Sequence, residues 1–407
     1  MAAREARLHE FSNALIWASV EAMPAELRER WDGTIAMDAT PVLASRIGTT
    51  ARSHRVSSEP DAGWYVREHD PLGDDGGGDK MKWAWDATLV TMASPRDDNS
   101  FPKLLLGMSM DRPGFRPAEN AMRAMDNLLT SDLPRNYAVG DRVYFPMTKP
   151  EKLQVPLRKA GYKLVGSQVK RQTGVQGEFA GAMLVDGNWY CPAMPKPLQE
   201  ATPRLEAGEI DADTHAKLIE RRRRYMMRPK EAPRANGSQK FACPAEGAGA
   251  TVDCPFKGQC AKTRGKLTKV MPRDLPTNKP KVCSQTTITI PLEAGAKYAQ
   301  SLQWGTEEWH SAYTYPRQTI ESKNASLKAG NGEMLGDRTR RMMRGMAAHT
   351  LAVAVLVTVH NIRTIERHLV VPRPQRNRPK PVRRERRRAY ANIIDLLHEA
   401  QAPPTAA

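Results

Sequence analysis

The chain has 407 residues, 62 of them Lys or Arg against 45 Asp or Glu, for a net charge of +17 and a pI near 9.8. It is long enough to bury one large core or two domains, and its charge favours a polyanionic partner, nucleic acid above all. The longest apolar run, Ala352 to Val359, is too short to span a bilayer, and Met1-Ala-Ala-Arg-Glu-Ala-Arg7 has no apolar leader core, so a cytoplasmic, nucleoid-associated protein with no membrane partner is expected.

In chain order, Leu8 to Trp17 is amphipathic and Ala25 to Trp31 reads as a second helical piece. Gly33 to Val42 has strand character around one acid, Asp38. Asp70 to Lys80 reads as an acidic turn. Met81 to Ala93 and Leu104 to Met110 are predicted strands, with Trp83 and Trp85 on one face. Ala118 to Leu129 has helical spacing that turns Met122, Met125 and Leu128 toward a core. A strand over Tyr137 to Phe145 carries Asp141; a helix over Glu151 to Ala160 and a strand over Lys163 to Val169 follow.

Lys170 to Leu302 is far longer than ordinary connections, which rarely exceed about 15 residues, and is predicted to be an inserted subdomain. It holds a strand-like Gly177 to Tyr190, a charged helix ending at Arg221 to Arg224, a strand over Thr286 to Ile290 and all five cysteines. Cys243, Cys254, Cys260 and Cys283, with Cys191 outside the group, are candidates for a structural zinc site, against the alternative of reduced buried thiols. The C-x2-C pair of a zinc ribbon is absent; Cys254 and Cys260 bracket five residues.

Beyond the insertion, Arg317, Glu321 and Lys328 are spaced by four and seven residues, which on a helix projects all three from one face. An acid at the end of a buried strand is costly unless paired or metal-bound. Asp38 and Asp141, joined by Glu321, would form a set of hard oxygen ligands suited to Mg2+ or Mn2+. Arg338, Arg340, Arg341 and Arg344 form a basic cluster suited to DNA phosphates, against the alternative of ordinary solvated charge. Met346 to Ile365 is predicted to be a largely apolar helix packed beside the sheet, with His349 and His360 as hydrogen-bonded core or edge residues against the alternative of ligands, and Pro372 to Arg388 a disordered, phosphate-binding arm followed by a short helix.

The order Asp, Asp, Glu, with strands for the first two acids and R-x3-E-x6-K for the third, resembles the DDE transposases of bacterial insertion sequences, in the group with a long insertion before the Glu. The resemblance rests on Ile-Ala-Met-Asp38-Ala-Thr40, Asp141-Arg-Val-Tyr144, the Arg317/Glu321/Lys328 triplet and Thr358-Val-His-Asn361-Ile-Arg363. One position departs from it: Thr314 stands where the family has Tyr, between Tyr313 and Tyr315.

The resemblance implies an α/β fold with a ribonuclease-H-like catalytic core, a mixed sheet flanked by helices, interrupted by an inserted subdomain. The expected segments are 1–32, helical; 33–170, first part of the core; 171–302, the insertion; 303–370, the helical remainder of the core; and 371–407, the basic tail. It further implies Asp38, Asp141 and Glu321 as catalytic ligands of two Mg2+ or Mn2+ ions, acting on double-stranded DNA as element ends and as target, in a homodimer. Arg317 and Lys328 would contact the DNA, and one of Trp304, Trp309, Tyr313 or Tyr315 would stack on a base near the cleaved end. The stretch before Asp38 is shorter than the family's recognition domain, which together with Thr314 supports an alternative, an inactive or host-retained DNA-binding remnant. A ribonuclease-H-like repair or recombination nuclease would share the metal site.

Overall fold

The computed structural model describes residues 2–46, 48–49, 56–67, 80–257, 267–330 and 332–370. The acidic turn expected over 70–80 therefore falls almost wholly outside the described residues, as do Cys260 and the tail from 371 onward. Residues 1–366 make one compact unit; the described part of the second is only the end of the last helix.

The helices α1 (Ala2–Glu21) and α2 (Ala25–Arg28) lead into a mixed sheet of β1 (Ile35–Leu43), β2 (Gly63–Arg67), β3 (Lys80–Met92), β4 (Leu105–Asp111), β5 (Tyr137–Gly140) and β6 (Lys163–Gly166). The sheet order is β2-β3-β1-β5-β6, with β4 also paired to β3. β3 runs antiparallel to β1, β2 and β4, whereas β5 lies parallel to β1 and β6 parallel to β5. The crossovers are helical: α3 (Pro117–Ala124) and α4 (Asp126–Thr130) before β5, and α5 (Gln154–Lys159) before β6. The architecture is mixed α/β, with helices against both faces of a mixed sheet.

Strand alternation sorts the core into two layers. Ile35, Met37, Val90, Met92 and Leu106 face Ala121, Met125, Leu128 and Leu157 of the crossover helices and the turn between them. Ala36, Trp85, Ala87, Leu89 and Met108 face Ile320 and Leu327 of α10 (Glu307–Lys328) and Val353, Ala354 and Val357 of α11 (Met346–Val370). The outer strand β4 is sealed by two asparagines acting as backbone mimics. Asn13 from α1 donates to Met108 O at 2.9 Å and accepts from Met108 N at 2.8 Å; Asn361 from α11 does the same to Leu105 at 2.7 and 2.8 Å. Such pairing satisfies an edge that would otherwise invite another strand. Gly107, between them, is required by contact: a Cβ there would stand 2.2 Å from the carbonyl oxygen of Ala124.

Several boundaries differ from expectation. β2 is an additional short strand, so Asp141 follows the fifth strand in chain order, not the fourth. The expected helix over 118–129 is two, because Met125 (φ −102°, ψ 0°) leaves helical values. The strand expected over 137–145 stops at Gly140, because the Asp141 carboxylate accepts from Val143 N at 2.9 Å and its carbonyl from Tyr144 N at 3.2 Å. An Asx-type turn of this kind competes with strand pairing and ends it. α11 runs past the expected Ile365 and is the one described helix long and apolar enough, by length and composition, to cross a membrane; its inner face is buried in the sheet layer.

Between β6 and α10 lies a segment with small sheets of its own. β7 (Val175–Phe179), β8 (Ala182–Val185) and β9 (Asn188–Tyr190) form an antiparallel meander, followed by α6 (Lys196–Gln199), α7 (Ala201–Glu206) and α8 (Ala212–Arg222). Then β10 (Arg228–Pro229), β11 (Gln239–Ala242) and β14 (Thr287–Ile290) make a second sheet, with the β12 (Val252–Asp253) and β13 (Thr268–Lys269) pair and α9 (Lys281–Ser284) beside it.

Candidate functional site

β1 and β5 are adjacent and parallel, with Ile35 opposite Ala138 and Ala36 opposite Val139. Continued by two residues, this register sets Asp141, at the first turn position after β5, level with Asp38 on β1. Asp38 lies on the sheet face covered by α10. That helix is well begun: the Thr306 hydroxyl accepts from Trp309 N at 3.3 Å, and Glu307 and Glu308 sit in its positive first turn.

α10 delivers two side chains to Asp38. Arg317 Nη1 is 3.4 Å from Asp38 Oδ1, while its Nη2 donates to Glu321 Oε1 at 2.8 Å. Asn324, buried three residues beyond Glu321, donates from Nδ2 to Asp38 Oδ2 at 3.0 Å. Both Asp38 oxygens are thus held from one helix.

The electrostatics show how crowded this corner is. Burial raises the Asp38 carboxyl to about 6; Arg317 pulls it down, and Asp141 pushes it up again. For Arg317, burial opposes the charge, but Asp38, Asp141 and Glu321 together hold its pKa above the ordinary value. One guanidinium therefore stands among all three predicted acids. Glu321 is 56% exposed, against 18% for Asp38, so its side chain has room to turn away from Arg317. Among the described residues, no three His, Cys, Asp or Glu side chains already stand together as a metal-binding group.

Beneath the acids is Tyr144. It is buried, its hydroxyl hydrogen-bonds the Thr88 side chain, and burial together with the Asp38 charge raises its pKa well above the ordinary value. Lys328, at the far end of α10, lies in the field of Asp86 on β3, whose carboxyl is raised by burial and lowered by Gly114 N and by Lys328. Lys328 is thus placed by an acid outside the predicted set.

The aromatic and basic candidates separate. Tyr315 is half-buried and off the Arg317 face. Tyr313, one helical turn before Arg317, stacks on Trp309 with ring centroids 5.0 Å apart and lies in the field of Arg317 and Asp141. The expected basic cluster begins in a short 3-10 turn, Arg338–Arg340, followed by irregular backbone. Arg338, Arg340 and Arg344 are exposed, but Arg341 is buried and donates to the carbonyls of Met334 at 3.0 Å and Leu335 at 2.7 Å. Arg341 shapes the loop and does not face a ligand. His349 and His360 are core residues; His360 Nδ1 is 3.0 Å from the buried Glu333 Oε2.

Of the expected cysteine group, Cys243, Cys254 and Cys283 are buried in the segment between β6 and α10, and Cys260 lies outside the described residues. Cys191, set apart on sequence grounds, belongs with them, since its thiol feels all three.

Asn324 and Asp86 carry no sequence expectation, whereas Tyr313 was one of four aromatic candidates. Tyr313 and Asn324 share the spacing that singled out Arg317 and Glu321, and Asp86 is a lone acid in an apolar strand, the criterion applied to Asp38. No family model matches the chain, and neither the curated proteins nor the solved structures compared with it yield a match.

Proposed function

We propose that the chain is a metal-dependent DNA phosphoryl transferase of the DDE transposase type, built on a ribonuclease-H-like core. The observation that carries this reading is the meeting of Asp38, Asp141 and the α10 face on adjacent parallel strands. Apart from the short added β2, the antiparallel strands β1, β3 and β4 followed by the parallel β5 and β6 with helical crossovers support the ribonuclease-H-like assignment.

The donor set fits a hard divalent cation. Asp38 and Asp141 supply oxygen ligands, and the raised Asp38 carboxyl marks a buried acid that one arginine does not fully compensate. When bound, the ions would activate water or a DNA 3′-OH and stabilise the leaving oxygen of an in-line displacement. Asp38, fixed by Asn324, and Asp141, fixed by its turn, would hold them. Glu321 would join by leaving Arg317, whose guanidinium would then be available to a scissile-strand phosphate. Tyr313 is better placed than Tyr315 for the DNA end, and Arg338, Arg340 and Arg344 would follow the duplex backbone.

A second reading has one observation in its favour. Arg317 already bridges Asp38 and Glu321, as it would in a protein that keeps the acids but binds DNA without cutting it. The two readings separate in a nicking and strand-transfer assay on duplexes taken from the DNA flanking the gene, with Mg2+ or Mn2+. Cleavage that disappears in Asp38→Ala and Asp141→Ala supports the transferase. Retained DNA binding with no cleavage in either metal supports the remnant, and full cleavage by Glu321→Ala would end the proposal of a three-acid site.

A further inference from the structure

We propose that Cys191, Cys243, Cys254 and Cys283 form a four-thiolate site for a structural zinc ion that ties together the segment between β6 and α10. Three of the four open the same turn. Cys191-Pro-Ala-Met194, Cys243-Pro-Ala-Glu246 and Cys254-Pro-Phe-Lys257 each close with a hydrogen bond from the fourth residue's N–H to the cysteine carbonyl, at 3.1, 3.1 and 3.0 Å. In the first two, the amide two residues on, Ala193 or Ala245, also donates to the cysteine sulfur. Amide donation to sulfur is the outer-shell support that orients a thiolate ligand.

Backbone pairing brings the turns together from distant parts of the sequence. Cys191 N donates to Tyr225 O at 2.9 Å, and the strand that continues from Tyr225 pairs Arg228 with Ala242, the residue before Cys243. Cys243 N in turn donates to Thr286 O at 3.1 Å, three residues after Cys283. Pro244 O accepts from Thr251 N at 2.8 Å, just ahead of Cys254. Cys191, Cys243 and Cys254 share one buried cluster, Cys283 lies in the adjoining one, and Phe256 packs against both.

All four are free thiols, and burial, together with the neighbouring sulfurs, holds Cys191, Cys243 and Cys283 protonated, with Cys283 pushed up to about 11. They do not yet stand as a metal-binding group. Zinc would draw them in as thiolates and release their protons to solvent, with no redox change. The resulting excess negative charge would meet Lys257, already in the field of Cys243 and Cys283, and Lys279 beside Cys283. The segment's strands are of two to four residues apart from β7, so a metal clasp would add to the packing of its two small buried clusters.

The test uses the full chain purified without chelator, with zinc measured by mass spectrometry and Co2+ as the spectroscopic probe. About one zinc per chain is expected, and Co2+ should give the visible bands of a tetrahedral thiolate site. Cys191→Ser, Cys243→Ser, Cys254→Ser and Cys283→Ser should each lose most of the metal, while Cys260→Ser keeps it. Because a serine variant can fail to fold, Cys191→His is the companion: it should hold zinc and shift the Co2+ spectrum. A metal-free wild-type chain with no Co2+ thiolate spectrum overturns the proposal. So does zinc that survives Cys191→Ser and is lost in Cys260→Ser.

Discussion

Arg317 reaches from α10 to within 3.4 Å of Asp38 on β1, and both side chains are largely enclosed, at 15% and 18% exposure. The pair joins the helix to the centre of the sheet at the point where the acids collect. An ion pair in such a place has two consequences, one for stability and one for cation binding.

Replacing Arg317 with Ala leaves Asp38 buried without its counter-charge and frees Glu321. A loss of roughly 1–3 kcal/mol is expected in metal-free protein, together with tighter Mn2+ binding as Glu321 is released. Thermal unfolding with and without Mn2+ reads both effects. An Arg317→Ala protein as stable as the parent, with unchanged Mn2+ affinity, would show that the guanidinium does not hold the acids.

The raised Asp38 carboxyl predicts a pH dependence of definite sign. Its folded pKa of about 6 lies above the ordinary 3.8, so between those values the folded chain keeps a proton that the unfolded chain has lost. Stability therefore falls as pH rises through this window. Asp38→Asn removes the penalty. The variant should match the parent below about pH 4 and exceed it near pH 7 by on the order of 1–3 kcal/mol. Urea midpoints across that range decide the matter, and equal midpoints at neutral pH would mean that Arg317 compensates Asp38 fully.

Asn324 is a positioning residue, acting through Asp38. Asn324→Ala should raise the Asp38 pKa further, because one donor to the carboxylate is lost, and should weaken Mn2+ binding. Asn324→Asp adds a like charge and should raise that pKa more strongly. NMR titration of the Asp38 carboxyl distinguishes this from a packing role, in which stability would change but the titration midpoint would not.

The exposed and buried arginines of one short segment should behave oppositely. Arg341→Ala removes donors to the Met334 and Leu335 carbonyls and should lower the melting temperature. The triple change of Arg338, Arg340 and Arg344 to Ala should leave melting unchanged and reduce the salt dependence of duplex binding by up to about three phosphate contacts. Salt titrations of DNA binding give that slope, and an unaltered slope would remove these residues from the interface.

How much of this was legible in the sequence depended on whether the signal was local. Arg317 and Glu321 could be placed because helical spacing is a local property; the same rule selects Tyr313 from the four aromatic candidates and would have found Asn324 had the face been followed in both directions. Asp38 stood out as an acid in an apolar strand; Asp86 met the same criterion but was passed over. The pairing of Asp38 with Asp141 depends on β1 lying parallel to β5, a contact across about a hundred residues that periodicity does not encode. The burial of Arg341 was likewise invisible, because an arginine spent on loop carbonyls has the same spelling as one offered to solvent. Cys191 was set apart by its distance along the chain, although its Cys-Pro turn has the same sequence form as those of Cys243 and Cys254.

The segment between β6 and α10 holds a buried ion pair whose removal tests its internal order. Arg222 and Asp186 are in direct contact, each about 1% exposed. Asp186 also accepts from Gly174 N and from the Thr202 hydroxyl, both at 2.6 Å. Asp186→Ala strands the Arg222 guanidinium between Leu198 and Tyr190 and should cost roughly 3–5 kcal/mol. Replacing both partners with apolar residues of similar volume should restore most of that loss, because no unpaired charge then remains. Limited proteolysis with mass mapping locates the effect: cleavage of Asp186→Ala should concentrate between residues 171 and 302, and uniform cleavage along the chain would mean that the pair supports the whole unit.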